Sequence, residues 1–117
     1  MGEKKRVVGV NFDHMHMGDN LRFAHDHPGV ELVGISDERP ERMETAASAF
    51  GLTPSQVFTD WRACMESTDP ELVILCPATG EHALWVERIS DFGCHVLLEK
   101  PFASDLADAD AIVQAMT

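Results

Sequence analysis

Short apolar runs alternate with segments of helical periodicity along the 117 residues, and this alternation restricts the fold more than any other feature. Strand-like runs occupy residues 6–10, 31–35, 57–58, 72–76 and 95–98. Parallel strands joined by crossover helices produce this pattern. We therefore predict an α/β fold in which residues 1–117 form a single domain around one doubly wound parallel sheet.

The segment after Pro40 predicts the clearest helix, because its apolar residues recur on one helical face and Gly51 follows as a stop. The residues of that face are Met43, Ala46, Ala47 and Phe50. Further helices are predicted over residues 20–26, after Asp60, from His82 to Gly93 and after Ser104. Residues 72–76 are continuously apolar, as expected of a strand covered on both faces, and we predict them as the central strand.

Composition excludes several classes of function. A formal net charge of −11 repels polyphosphate backbones, so nucleic acid is a poor candidate partner. The three cysteines form no C-x-x-C pair and lie in apolar stretches, which is typical of reduced thiols in the cytoplasm. The sequence contains no apolar run of the roughly 20 residues that a membrane span requires. We therefore expect a cytoplasmic protein without a membrane partner.

The residues that follow the predicted strands are the candidates for chemistry, because ligands of open α/β sheets bind at the carboxyl ends of strands. Lys100 is the most informative of them. It follows the apolar residues 96–98 and precedes Pro101, which fixes the backbone that aims the lysine. A lysine there can reach both a cofactor sugar and a substrate hydroxyl, which suggests hydride-transfer chemistry.

Three motifs in the second half of the chain have residue types and spacing that resemble a known family. They are residues 79–83 (TGEHA), residues 93–96 (GCHV) and the segment Glu99-Lys100-Pro101-Phe102. Residues 28–37 (PGVELVGISD) add support. Together they resemble the amino-terminal domain of the glucose-fructose oxidoreductase, inositol dehydrogenase and MocA family of nicotinamide-dependent oxidoreductases. The resemblance runs through nearly the whole chain.

The resemblance implies a Rossmann fold that binds a nicotinamide dinucleotide, NAD or NADP. It also implies hydride transfer between that cofactor and a secondary alcohol or ketone of a sugar, cyclitol or related polyol. The family continues into a second domain that holds the substrate, and we expect this chain to lack it. We therefore expect these 117 residues to bind dinucleotide with little or no turnover, and to form a homo-oligomer through an exposed sheet edge.

The resemblance also assigns site residues. Gly9 corresponds to the first glycine of the phosphate loop, where the chain would turn off the first strand. Asn11 and His14 stand where the G-x-G-x-x-G pattern has glycine, and asparagine can still make the turn because it tolerates left-handed backbone. The remaining cofactor contacts are assigned to Phe12, Cys76, Pro77, Ala78, His82 and Glu99. Lys100 is assigned both to the cofactor and to catalysis, as the donor to a substrate hydroxyl.

Asp37 ends the second predicted strand, where a carboxylate can accept hydrogen bonds from the ribose hydroxyls and would repel a 2′-phosphate. This favours NAD over NADP, although Arg39 and Arg42 are close enough in sequence to counter the charge. An aspartate before a helix can instead act only as its cap. A histidine at a helix start, such as His82, can likewise be a packed or capping residue. For both residues the sequence leaves the two interpretations open.

A histidine- and methionine-rich segment, residues 13–19 (DHMHMGD), is compatible with other functions. Its H-x-H spacing can place His14 and His16 on one metal ion, with Asp13 or Asp19 completing a zinc site. We prefer to interpret this segment as the phosphate loop, with both histidines lining the pyrophosphate or a substrate entrance, and we predict no metal. A nucleotide-binding or sensing module without catalysis is the other alternative, favoured by the departures from the glycine pattern.

Overall fold

Five parallel strands form one sheet in the computed structural model, which describes residues 4–13 and 17–98 together with Val113. The strands are β1 (Lys5–Phe12), β2 (Val30–Ser36), β3 (Val57–Phe58), β4 (Leu72–Cys76) and β5 (His95–Leu98). Their order is β3-β2-β1-β4-β5, so the chain runs outward from β1 to β3 and then crosses back to β4. The predicted doubly wound sheet is confirmed.

The middle strand of the sheet is β1, so the prediction that residues 72–76 form the central strand is wrong. An unbroken apolar run indicates that a strand is covered on both faces. β4 meets that condition because it lies between β1 and β5, one position away from the middle. The unbroken apolar run therefore showed that β4 is an interior strand, but it did not give the position of β4 in the strand order.

Within the described residues, the α-helices are α1 (Met17–Asp26), α2 (Glu44–Ala49), α3 (Trp61–Thr68) and α4 (His82–Ser90). Asp60 caps α3 as predicted, since its carboxylate accepts a hydrogen bond from the Arg62 amide. Gly51 and Gly93 follow α2 and α4 with left-handed φ angles of 66° and 70°, as expected of helix stops.

Three predicted helices differ from the structure or extend past it. The helix predicted over residues 20–26 begins earlier, at Met17. The helix predicted after Pro40 is divided into a 3-10 turn (Pro40–Arg42) and α2, because the first turn of a helix often tightens to 3-10 geometry. Val113 is helical, whereas the rest of the helix predicted after Ser104 lies outside the described residues. None of the described helices has both the length and the hydrophobicity that a membrane crossing needs.

Apolar layers cover both faces of the sheet. One layer joins β1 and β4 to α3 and α4, and its buried members include Val8, Val10, Cys64, Val86 and Ile89. The opposite layer joins the strands to α1 and to the region of α2, and includes Val7, Met17, Leu21, Met43 and Phe50. All three cysteines are buried thiols outside any disulfide, and burial raises the pKa of the Cys64 thiol to about 12.

The carboxyl end of β1 is irregular. A register shift between Val10 and Phe12 places Phe12 opposite Cys76 of β4. Asn11, between them, has a φ angle of 70°. The left-handed conformation predicted for this asparagine is therefore confirmed, and it occurs where the strand meets the loop that follows.

Gly9 lies inside β1, so the turn predicted at this glycine is wrong. A Cβ atom at position 9 would lie 2.9 Å from Leu21 Cδ2 and 3.1 Å from Met17 Sδ, both in α1. The missing side chain thus lets α1 pack closely against the strand. The strand continues past Gly9, and the left-handed residue at its end is Asn11.

Candidate functional site

The carboxyl ends of the strands surround a cavity of about 610 Å³. β1 contributes Asn11, β2 contributes Ser36, α3 contributes Trp61, and α4 contributes Trp85 and Arg88. The direction of winding reverses between β1 and β4, and ligands of open α/β sheets bind in the crevice at such a point. The volume is also typical of a small-molecule site. This crevice is the candidate functional site.

Asp37 follows β2 directly and ties the end of that strand to the end of β1. Its Oδ2 accepts a hydrogen bond from the Phe12 amide at 2.7 Å, and its Oδ1 accepts one from the Arg39 amide at 2.8 Å. The second bond closes a local turn over residues 37–39. It is not the helix cap that the sequence left open, because the 3-10 helix that follows has Arg39 as its N-cap and no side-chain cap bond. Asp37 is only 2% exposed, so contact with a ribose requires its neighbours to move, although each oxygen keeps a further lone pair.

Arg42 joins two aspartates across the crevice. Its guanidinium hydrogen-bonds to Asp13, and its Nη1 lies 4.0 Å from Asp37 Oδ2. The hydrogen bond with Asp13 raises the pKa of Arg42 above its usual value. Asp13 Oδ2 also accepts a hydrogen bond from the Ala78 amide at 3.2 Å, which connects the end of β1 to the turn after β4. The carboxylates of Asp13 and Asp37 thus offset the positive charge of Arg42 within the site.

The side-chain amide of Asn11 lies beside these hydrogen-bonded residues. The residue is 7% exposed, and its Nδ2 atom has no hydrogen-bond partner among the residues that the structure describes. Buried polar groups in proteins are nearly always paired. Because Asn11 borders the cavity, an atom of a bound ligand is a candidate acceptor.

The cavity wall formed by α3 and α4 is aromatic and cationic. The rings of Trp61 and Trp85 meet edge to face with their centroids 5.7 Å apart. The Arg88 guanidinium carbon lies 4.7 Å from the Trp85 ring centroid and 5.8 Å from that of Trp61. Flat aromatic surfaces with an adjacent cation are suited to stacking against a nucleotide base.

The turn after β4 consists of Cys76, Pro77 and Ala78. The Cys76 side chain is buried, and Asn20 Nδ2 donates to its Sγ at 3.9 Å. His82 is 1% exposed, and its Nε2 lies 3.1 Å from the Pro77 carbonyl oxygen. A carbonyl only accepts, so the Nε2 atom carries the proton. Ala78 is exposed beside the crevice, whereas Cys76 and His82 are enclosed, which fits the interpretation of His82 as a packed residue.

Three of the predicted site residues, His14, Glu99 and Lys100, lie outside the described residues. Among the others, Asn11 lines the crevice. Phe12 and Asp37 are hydrogen-bonded to each other, and Ala78 is bonded to Asp13, which also lines the crevice. Gly9 lies inside β1. Phe12 also borders a second cavity of about 410 Å³, between α1 and α2. Within residues 4–13 and 17–98, no group of three or more His, Cys, Asp or Glu could hold a metal ion. The metal alternative depends on His14 and His16, which are outside that part.

Two features of the site were not predicted: the pairing of Asp13 with Arg42, and the wall formed by Trp61 and Trp85. A usable signal was present for both. Each of these residues follows a predicted strand closely or belongs to the helix after it, and the carboxyl ends of parallel strands meet at one edge of a sheet. Opposite charges at that edge favour pairing, which would have pointed to Arg42.

Residues 5–117 match the GFO_IDH_MocA family, an oxidoreductase family with an NAD-binding Rossmann fold. D-apiose dehydrogenase from Paraburkholderia graminis is 30% identical over 112 residues, which cover 96% of this chain and 28% of that protein. Myo-inositol 2-dehydrogenase from Thermotoga maritima is 27% identical over 108 residues, which cover 92% of this chain and 31% of that protein.

The same fold occurs in solved dehydrogenases. WlbA dehydrogenase from Bordetella pertussis, solved with NADH and UDP-GlcNAcA, superposes with a TM-score of 0.85 at 23% identity, over 97% of this chain and 34% of that one. The chain thus spans about a third of the length of these relatives. It belongs to the oxidoreductase family of glucose-fructose oxidoreductase, inositol dehydrogenase and MocA, whose Rossmann fold binds NAD.

Proposed function

We propose that this domain binds the dinucleotide of an oxidoreductase that moves hydride between NAD(P) and a secondary alcohol or ketone of a sugar, cyclitol or related polyol. The observation that carries the proposal is the crevice at the carboxyl ends of β1 and β2, where the buried Asn11 amide nitrogen has no acceptor among the described residues. A group that brings acceptor oxygens to the end of β1 fits this site. Membership of an NAD-binding family indicates the class of that group.

Three parts of the crevice would hold the cofactor. Asn11 at the end of β1 would face the phosphates, and Ser36 and Asp37 at the end of β2 would face the adenosine ribose. The wall of Trp61 and Trp85 would stack against the adenine. When bound, a nicotinamide dinucleotide supplies or accepts a hydride, while the protein orients it and excludes water.

The charges near the end of β2 favour NAD over NADP. Asp13, Asp37 and Glu38 are all close to this end of the crevice, and Arg42 is already shared between the first two. A 2′-phosphate would add negative charge beside these carboxylates, with Arg39 as a counter-charge. We therefore expect NAD to bind more tightly than NADP.

The catalytic assignment rests on family membership and on the motif after β5. Lys100 follows Leu98, the last residue of β5, by two positions, and β5 pairs with β4. We propose that Lys100 donates to the substrate hydroxyl and holds a proton there, and that Glu99 and His14 contact the cofactor. The buried Cys76 and His82 would act by shaping the turn that carries Pro77 and Ala78, since their side chains are enclosed.

The polyol substrate class is supported by the names of two relatives, D-apiose dehydrogenase and myo-inositol 2-dehydrogenase. Catalysis requires that substrate and cofactor be held together in one geometry. The matched region is 28% and 31% of those two proteins, so we propose that the 117 residues alone bind dinucleotide with little turnover. Self-association through the sheet edge stays a prediction, which sedimentation at increasing protein concentration would test.

Titration calorimetry with NAD, NADP, AMP and ATP tests the proposed function. We expect NAD to bind several-fold more tightly than NADP, and Asp37→Asn to reduce that preference, because the variant removes one negative charge beside the ribose. Asp91→Asn, which removes an exposed charge at the end of α4 and outside the lining of the crevice, should leave the preference unchanged. Absence of dinucleotide binding at millimolar concentration would contradict the proposal. Tighter binding of AMP or ATP than of NAD would instead support a nucleotide-sensing module.

A further inference from the structure

We infer that Asn11 is a specificity-determining residue whose side-chain amide donates a hydrogen bond to a phosphate oxygen of the bound dinucleotide. The inference rests on the proposed function and deepens it. It assigns a contact with the diphosphate to the side chain of the left-handed residue at the end of β1.

The backbone of Asn11 does not by itself explain the asparagine. Its φ angle of 70° is a left-handed conformation that glycine adopts without strain and asparagine tolerates. Either residue therefore makes the irregular end of β1. The amide group adds hydrogen-bonding capacity that the turn does not use, and this points to a second role for the side chain.

The surroundings of the amide leave it available to a ligand. Asn11 is 7% exposed, and Nδ2 has no acceptor in the part of the chain that the structure describes. The nearby carboxylates of Asp13 and Asp37 are already bonded to Arg42 and to backbone amides. Asn11 also borders the cavity, so its side chain is next to a molecule bound there.

The position of the amide favours a phosphate as its acceptor. Asn11 belongs to the end of β1, and the ten-residue helix α1 is the next helix in the chain. Doubly wound folds hold a diphosphate between the end of the first strand and the start of the helix that follows. A neutral donor there adds a hydrogen bond to an anion without adding a charge that the neighbouring aspartates would have to balance.

Competition experiments with ADP and adenosine test the assignment, because the two ligands differ only in the phosphates. Binding is measured by displacement of NADH and by the fluorescence of Trp61 and Trp85, which both border the cavity. The test variants are Asn11→Asp and Asn11→Gly. Aspartate keeps the shape of the side chain and tolerates the left-handed backbone, but it replaces the NH₂ donor by a negatively charged oxygen. Ser55→Asp is the matched control. It adds one negative charge at an exposed turn before the amino end of β3, whereas Asn11 lies at the carboxyl end of β1.

We expect Asn11→Asp to weaken ADP and NAD by about tenfold or more and Asn11→Gly to weaken them by about threefold, with adenosine changed less than about twofold. Ser55→Asp should leave all three ligands unchanged. The assignment would be overturned if either Asn11 variant bound ADP as tightly as the wild type, or if the affinity for adenosine fell as much as the affinity for ADP. In both cases the proposed function would still stand, provided that the wild-type chain binds NAD. Failure of the wild-type chain to bind ADP or NAD would overturn both.

Discussion

Replacing Asp37 by asparagine perturbs the junction of β1 and β2 with almost no change of shape. The carboxylate now receives two backbone donors, the Phe12 amide at 2.7 Å and the Arg39 amide at 2.8 Å. Asparagine has a single acceptor oxygen, so one of these donors would face an NH₂ group and lose its partner. The residue is 2% exposed, so water does not readily replace the lost acceptor.

The expected cost follows from this geometry. A hydrogen bond to a charged group contributes about 1.5–3 kcal/mol, and the loss of charge beside Arg42 adds to it. We expect Asp37→Asn to lower the free energy of unfolding by about 2–4 kcal/mol, out of the roughly 5–15 kcal/mol of a typical domain. Asp60→Asn makes the same chemical change at an exposed helix cap, where asparagine caps as well as aspartate, and should stay within about 0.5 kcal/mol of the parent.

Urea unfolding followed by tryptophan fluorescence measures both variants. The slope of the unfolding free energy with urea should be the same in the parent and in both variants, since the surface exposed on unfolding is unchanged. If Asp37→Asn were as stable as Asp60→Asn, the carboxylate of Asp37 would not be the tie between the two strand ends, and our account of this junction would be refuted.

Three further predictions concern stability. Between pH 9 and 12 the free energy of unfolding should fall by up to about 1.4 kcal/mol per pH unit on account of Cys64, because burial raises its thiol pKa to about 12 and the unfolded state loses the proton first. Cys64→Ala should flatten this part of a stability–pH profile, and the absence of tyrosine from the sequence simplifies its interpretation. Gly9→Ala should cost about 1–3 kcal/mol in urea unfolding, because the new Cβ would lie 2.9 Å from Leu21 Cδ2, and an unchanged midpoint would contradict the close packing of α1. Gly51→Ala should cost about 1–2 kcal/mol because of its φ of 66°, whereas Gly80→Ala, where a Cβ would enter open space and φ is not left-handed, should be neutral or slightly stabilising; equal melting temperatures would disagree with this.

Local signals in the sequence were sufficient to place most elements. The predicted bounds of β3, β4 and β5 agree with the structure, and Asp60, Gly51 and Gly93 act as the predicted cap and stops. Each of these signals is contained within a few neighbouring residues, so it can be recognised without knowledge of the rest of the fold. The resemblance to an oxidoreductase family rested on equally local motifs and is also confirmed.

The structure of the site depends on contacts between distant residues. Phe12 and Asp37 are 25 positions apart, Asp13 and Arg42 are 29 apart, and Asp13 and Ala78 are 65 apart. The left-handed residue at Asn11 and the packed position of Gly9 depend in turn on how far β1 continues beside β4 and under α1.

By itself, the sequence determined where strands and helices lie, that the sheet is parallel and doubly wound, and which family the chain belongs to, because periodicity, caps and motifs are properties of short segments. Only the tertiary structure decided that β1 is central, that Arg42 is shared by two aspartates, and that the buried Asn11 amide nitrogen has no acceptor within residues 4–13 and 17–98. The physical reason is that strand order, register and burial arise from packing between segments, and no single segment contains that information.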